Sequence, residues 1–528
     1  MLLKKHPFIK KLIFSIGVIL CFFVVFIVVY APVIQKGYFY LDDYAYFRHD
    51  KPSLSFFMDE SFREGRVLEG PILYLISTFI ETSESTKTIR FIGIIGIALL
   101  ASVICAVFRR VRFRYDQAFL MSTLICLLPF MQIFASWMII MPSIYSALLS
   151  SLSALLLFNI VFEKGKKPAY SVIRVLTAVF LLLTALSINQ PPAMMYWAMG
   201  IIFFITDDNF DFSNKERRRQ AIRYFLVGFF SMVIYFIVFI KLIPFVMNIS
   251  ISRGNLVSIQ DISQRFTWFL TGPVMRTMNL WNANPTYKFA AFIGVIICSG
   301  IILNLLQVIR EQDHFSVINF FIRYSLISAI VLLCYLPKLM IIEPTYVQAY
   351  WFRTLISIAT AIFILFLFEV INIIEFFKFI PNFSAELRKT TITLLLTILT
   401  IIAAFSAHNN VNYFSTLYST ELNHITTTIK NYGVSNLINI SKIYIRRPTT
   451  RGFPENDRFN EFKGALNTAP KEGMIKYVIK RALHDVGVKP EEVQITHGAP
   501  DDPIPSDKII LIVDMTAIEL LDKYMKVK

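Results

Sequence analysis

The sequence predicts an all-α polytopic membrane protein of about eleven transmembrane helices, with a small α/β domain at its C-terminus. Three observations carry that expectation. The 528 residues are 55% hydrophobic and only 17% charged, against about a quarter charged in soluble domains. The apolar residues gather into runs of about the ~20 residues that cross a bilayer. The last 120 or so residues change character, with acidic and basic residues close to balance. Fifty Phe and twenty-three Tyr suit a lipid-facing surface with interfacial aromatic belts.

Taken in order, Lys4, Lys5, Lys10 and Lys11 precede an uncharged run at 12–34. It is too long for a signal-peptide core and no A-x-A site follows it, so it reads as an uncleaved first helix with its N-terminus inside. The later runs are 88–108, 115–134, 142–162, 169–188, 191–206, 222–243, 288–308, 317–336, 352–374 and 390–406. If each crosses once, four basic clusters share the side of the N-terminus: Arg109–Arg114, Lys164–Lys167, Lys215–Arg219 and Arg388–Lys389. That agreement is the positive-inside pattern. It also accounts for the net charge of +16 without nucleic acid as a partner, since no basic face with interleaved aromatics stands outside the runs. The opposite side then holds 35–87, 135–141, 188–191, 244–287, 337–351 and the tail. The expected division is a membrane module over 1–406 and an extracytoplasmic α/β domain over 407–528. Within the tail, 472–486 has helical spacing and 508–514 (KIILIVD) reads as a strand. The five cysteines all lie in apolar runs, with no CxxC or His/Cys spacing, so neither a disulfide framework nor a zinc site is implied.

The first outer segment carries the chemistry-bearing residues. It reads GYFYLDDYAYFRHD (37–50) and then SFREGRVLEGPILYLIS (61–77). Asp42 and Asp43 follow the first helix closely, at the membrane–water boundary, with Arg48, Arg63 and Arg66 after them. A carboxylate there can take a proton from a sugar hydroxyl, and arginines can hold a phosphate bidentately. The plainer reading is a charged loop whose acidic pair caps the next helix. At SINQPPAMMYW (187–197), Gln190 precedes two prolines. Such a break suits a cavity or an ordinary turn with Pro in the first turn of a helix. In PKLMIIEPTYVQAYWFRT (337–354), Lys338, Glu343 and Arg353 border apolar runs. Tyr346, Tyr350 and Trp351 there can stack on a sugar ring or belong to the aromatic belt. The 244–287 segment is long enough to fold over a site or to lie as an interfacial helix.

YLDDYAYFRHD followed by EGRVLEGPILYLIS resembles the N-terminal signature of the Gtr-type serotype-converting glucosyltransferases, membrane enzymes that decorate O-antigen. Asp42, Asp43, Arg48, Gly65 and Arg66 carry the match. INQPPAMMYW at Gln190 and AYWFRTL at Arg353 resemble two later segments of that family. The resemblance implies a GT-C-like fold, a polyprenyl-phosphate-glucose donor made and flipped by partner proteins upstream, and a polysaccharide acceptor outside the inner membrane. The mechanism expected on that reading is an inverting transfer in which Asp42 or Asp43 is the base and Arg66 and Arg353, joined by Arg48, hold the donor phosphate. Gln190, Glu69, Tyr346 and Lys338 are the candidate substrate-binding residues. Glu64 and Glu69 also lie in the loop, so which carboxylate acts as base stays open. No cofactor is required, and a divalent metal is compatible with this chemistry but not called for by the pattern. Three alternatives stand beside this one: another GT-C sugar transferase; a flippase or transporter of lipid-linked sugars, which should show broken or charged helices at the midplane; and a receptor-like binding tail with the helices as its scaffold.

Overall fold

Each apolar run folds as helix, the arrangement in which a chain inside hydrocarbon satisfies its own backbone. The computed structural model describes residues 7–48, 52–111, 113–162, 168–206, 215–251, 257–310, 314–340, 352–377, 384–432, 442–447, 467–468, 472–488, 493–499, 502 and 510–516. Among these, Thr86–Arg110, Met138–Phe158, Arg218–Met247, Tyr287–Arg310, Ile356–Phe376 and Ala385–Tyr432 are each long and apolar enough to cross a membrane. The pair Tyr115–Cys126 and Pro129–Ser136, bent by 63°, makes a seventh. The remaining runs form the shorter apolar stretches Ile13–Val29, Val172–Ile188 and Val317–Leu333, and the twelve-residue helix Met195–Thr206. Large apolar side chains such as Phe245, Phe180 and Phe405 point outward and exposed, as lipid-facing residues do.

The bent pair shows how the bundle tolerates a break. Pro129 opens the second helix, and a proline cannot donate to the turn before it. The carbonyls left over at the bend find side chains instead. Tyr30 Oη donates to Cys126 O at 2.7 Å, Gln132 Nε2 to Leu127 O at 2.8 Å, and Trp281 Nε1 to Leu124 O at 3.1 Å. The break at 189–194 is handled by serines of Pro142–Phe162. Ser146 Oγ donates to Ala185 O and Asn189 O, both at 2.8 Å, and Asn189 Nδ2 donates to Ser143 Oγ at 2.7 Å. Ser357 Oγ donates to Pro191 O at 2.7 Å. Pro191 and Pro192 sit in the first turn of a short helix, Gln190–Ala193.

The outer segments expected on one side do meet at one end of the bundle. Ile139 N–H reaches Asp43, Leu68 N–H reaches Ser187 O, and Val257 N–H reaches Met340 O. Ala385–Tyr432 is a single helix of 48 residues, about 72 Å long at 1.5 Å per residue. It runs through residue 406 without a break, and its last turns carry the C-terminal domain.

That domain holds a parallel three-stranded sheet of order β2-β1-β3, where β1 is Lys442–Arg446, β2 is Gln494–Gly498 and β3 is Ile510–Asp514. Ile443 pairs with Ile495 on one side and Leu511 on the other. The helix Glu472–Asp485 follows β1 and precedes β2, the crossover that parallel pairing requires. Ile475, Val478, Ile479, Ala482 and Leu483 form its buried stripe. The expected helix at 472–486 and strand at 508–514 are both present; the short strands β1 and β2 carry no comparable signal.

Candidate functional site

The acidic pair divides. Asp43 is fully buried: its Oδ2 accepts from Tyr40 N–H at 3.1 Å and its Oδ1 from Ile139 N–H at 3.0 Å. Burial pushes its carboxyl up to about 7, against the lowering effect of Arg90 and of the two backbone donors. Asp42 is exposed. It occupies the N-cap of the short helix Asp43–Tyr46 but makes no side-chain cap bond, so the helix-capping explanation of the pair does not hold. Asp43 instead clips the outer segment to the turn at 137–141.

The backbone leading into this pair is strained and held from a distance. Leu41 has φ 41°, a left-handed conformation costing a non-glycine residue about 1–2 kcal/mol. Its N–H donates to Asn467 Oδ1 at 2.8 Å. Asn467 in turn donates from Nδ2 to Phe39 O at 3.3 Å and to Glu421 Oε2 at 2.9 Å. Glu421, fully buried, also accepts from the N–H of Asn467 at 3.0 Å, and from the N–H and Oγ1 of Thr468 at 2.7 and 2.8 Å. Burial raises the Glu421 carboxyl above its ordinary range even with these four donors present. Arg90 completes the support. It is buried at the start of Thr86–Arg110, with its guanidinium 3.5 Å from the Tyr38 ring. It donates to Tyr38 O at 2.7 Å, Ser136 O at 3.1 Å and Thr86 Oγ1 at 2.9 Å.

The expected arginines take three separate positions. Arg353, in the turn Phe352–Thr354, lies 4.7 Å from the Trp137 ring. Trp137 packs edge-on against Tyr40 at 4.7 Å, so Arg353, Trp137 and the Asp42–Asp43 segment belong to one neighbourhood. Arg66 is already paired, with Glu64 at 2.8 Å and Glu69 at 3.1 Å. Burial pulls its pKa down, but Glu64 and Glu69 outweigh that and hold it above the usual range. Arg48 lies 5.5 Å from the Phe56 ring and lines a cleft against the C-terminal domain. Neither Arg48 nor Arg66 therefore stands as an uncommitted phosphate clamp beside Arg353.

Glu69, buried, serves the Arg66 pair. Gln190 Nε2 donates to Glu64 O at 3.2 Å and to Tyr235 Oη at 2.5 Å, while Tyr235 Oη donates to Gly65 O at 2.6 Å. Gly65 has φ 73°, a left-handed conformation that a side chain rarely adopts, which is why this turn needs glycine. Gln190 and Glu69 thus fasten the 64–69 turn to the bundle. Lys338 is half-buried on Leu336–Met340, which packs near Gln190–Ala193. Tyr346, together with Glu343, Tyr350 and Trp351, lies outside the described residues. The aromatics that do gather near the pair, Tyr40, Phe414 and Tyr418 within 4.8–4.9 Å of each other, are buried and pack the loop.

The sequence reading missed Arg90, Glu421, Asn467, Thr468 and Arg481. Arg90 had a signal, a lone arginine inside an apolar run. The others had none, because the contacts that matter are distant in the chain: Glu421 meets Asn467 and Thr468 across a gap of 46 and 47 residues, and Asn467 and Arg481 reach back to Leu41 and Phe39. The 244–287 segment contains a helix beginning at Ile262 whose Ile262, Phe266 and Leu270 are exposed at four-residue spacing, as an interfacial helix would be. Among the described residues no three His, Cys, Asp or Glu side chains converge as a metal-ligand set.

No protein-family model and no curated protein matches the sequence. Among solved structures the fold resembles the archaeal oligosaccharyltransferase AglB from Archaeoglobus fulgidus, determined in complex with an inhibitory peptide and a dolichol-phosphate. The two share 11% identity with a TM-score of 0.36, over 89% of this chain and 64% of that one.

Proposed function

We propose that this chain is a membrane glycosyltransferase that moves a sugar from a polyprenyl-phosphate donor to a surface polysaccharide, at the extracytoplasmic face of a bacterial inner membrane. The observation that carries the proposal is the division of the acidic pair, with Asp43 buried on backbone donors and Asp42 exposed at the end of the bundle. Asp42 takes the proton of the acceptor hydroxyl. That oxygen attacks the anomeric carbon as the bond to the donor phosphate breaks on the opposite face, giving inversion. Arg353 faces the charge that grows on the departing phosphate, and a donor fixed before the reaction stabilises the transition state more than the ground state. Arg66, Glu69 and Gln190 act by positioning the loop. No step is assigned to a metal. Residues 407–528 form the extracytoplasmic domain. Glucose as the sugar and O-antigen as the acceptor follow from the motif resemblance.

The test compares the surface polysaccharide of cells with and without this gene, in a strain that makes the lipid-linked glucose donor, by mass and by linkage. One added hexose per repeat unit, lost in Asp42→Asn at equal protein level, is the expected result. An unchanged polysaccharide would refute the glucosyl assignment, and full transfer by Asp42→Asn would refute the base.

One observation favours a second reading, transport of a lipid-linked sugar. Glu369 is buried within Ile356–Phe376, accepting from Tyr324 Oη at 2.8 Å and Asn372 Nδ2 at 3.0 Å. Gly300 leaves room for it, since a Cβ there would fall 2.5 Å from Glu369 Cβ. Ionisable groups at such depth commonly mark pathways. Transport predicts that Glu369→Gln stops sugar movement across proteoliposomes; the transferase reading predicts that transfer from added donor survives it.

A further inference from the structure

A second charged cluster lies where the first outer segment meets the C-terminal domain. Arg481, on Glu472–Asp485, is 3% exposed. Its Nε faces Asp485 Oδ1 at 3.2 Å, and its guanidinium lies 4.6 Å from the Phe39 ring. Among the described residues neither Nη1 nor Nη2 has a hydrogen-bond partner. Tyr44 Oη, on the facing segment, is likewise buried without a partner. Both residues line a small cleft, together with Phe47, Arg48, Tyr477 and Lys480.

Buried donors without acceptors are rare and costly, and more so when charged. An apolar residue at this point of the helix would avoid that cost altogether. Arg481 and Lys480 both face the cleft, and Asp485, which accepts from Ser83 N–H at 3.3 Å, offsets one of them. Water would satisfy the donors but leave the charge. A group with several acceptor oxygens and a negative charge satisfies both at once, in the forked geometry that guanidinium offers.

We propose that Arg481 and Tyr44, with Lys480 and Arg48 closing the rim, bind a single oxyanion, a phosphate or carboxylate group, at the seam between the first outer segment and the C-terminal domain. The site is distinct from the Arg353–Trp137 neighbourhood and does not depend on the glycosyl-transfer reading. Because it joins Tyr44 to the domain helix, an occupied site also ties the segment bearing Asp42 to that domain.

The test is calorimetric titration of the full chain in detergent with inorganic phosphate and, separately, with acetate. The expected result is saturable one-to-one binding of at least one of them, weakened roughly tenfold or more by Arg481→Gln, in line with the loss of a charge-assisted pair of bonds. If Arg481→Gln does not fold, Tyr44→Phe and Lys480→Gln carry the test. Tyr44→Phe removes a hydroxyl that no described residue uses, so a fall in anion affinity without loss of folding supports the site. Absence of saturable binding in the wild type, or binding unchanged in all three variants, overturns it. Glucose 1-phosphate in solution set against dodecyl phosphate in mixed micelles separates the sources. Preference for the micellar phosphate marks a lipid headgroup, and preference for the soluble one marks a glycan-borne or free phosphate.

Discussion

The two halves of the first outer segment are built in opposite ways. In the second half, Arg66 is ion-paired with both Glu64 and Glu69 within six residues of chain, and Gln190 and Tyr235 fasten the turn. In the first half, residues 38–44 depend on groups far away in sequence: Arg90 under Tyr38, Arg481 over Phe39, Asn467 on Leu41 and Ile139 on Asp43. One half closes its own electrostatics. The other is shaped by the bundle and by the C-terminal domain together, and it carries the exposed carboxylate. The difference teaches that placing Asp42 is a property of the whole fold, whereas the motif around Arg66 is local scaffolding.

This contrast can be broken at several points. Asp42→Asn has the largest expected effect, a loss of transfer of about 100- to 10,000-fold, typical of a removed general base. Because Asp42 is exposed and makes no cap bond, the unfolding midpoint should stay where it is. Purified enzyme with labelled lipid-linked donor reads both.

Glu421→Gln comes next. It replaces one acceptor oxygen of a buried carboxylate by an amide, among four donors. The expected cost is about 2 kcal/mol, read as a lower unfolding midpoint with new proteolysis near Leu41. An unaltered protease pattern would show that the domain does not hold the first half of the segment.

Asp43 gives a pH signature. Its folded carboxyl, at about 7, lies above the ordinary value of 3.8. The stability tied to its protonated form is therefore full below about pH 4 and lost as pH rises through about 7. The wild-type unfolding midpoint should fall across that window. Asp43→Asn should flatten the fall while lowering the midpoint at acid pH, because the amide serves only one of the two backbone donors. An equal slope in both proteins would dissociate Asp43 from the effect.

Tyr235→Phe is the mildest test. It removes the bonds to Gln190 and Gly65 for about 1 kcal/mol. Transfer should change little if the second half is scaffold, and a large loss of transfer would move substrate contacts to that side.

What the sequence made legible follows from the range of each force. The helices were readable because hydrocarbon imposes one solution on an apolar run of sufficient length. The domain helix was readable because Ile475, Val478, Ile479, Ala482 and Leu483 keep helical spacing. Strand β1, five residues with both neighbours parallel, had no hairpin turn to announce it. The acidic pair was visible, but its division was not: nothing near Asp43 in the chain reveals that Ile139 will supply a donor, nor that Asn467 will hold Leu41. Arg48, Arg66 and Arg353 looked alike as cations, and only their neighbours separated them.

The unbroken helix Ala385–Tyr432 gives this arrangement a fixed phase. Glu421 stands fifteen residues past 406 on the same rod, about 22 Å along it, so its height and its compass bearing are both inherited from the part of the helix that packs in the bundle. One inserted residue near the exposed Ile401–Phe405 stretch would turn Glu421 by about 100° and lift it about 1.5 Å, carrying Asn467 away from Leu41. Seven inserted residues would nearly restore the bearing but raise it about 10 Å. The rod thus acts as a ruler and a protractor at once, and the placing of Asp42 is written in its residue count.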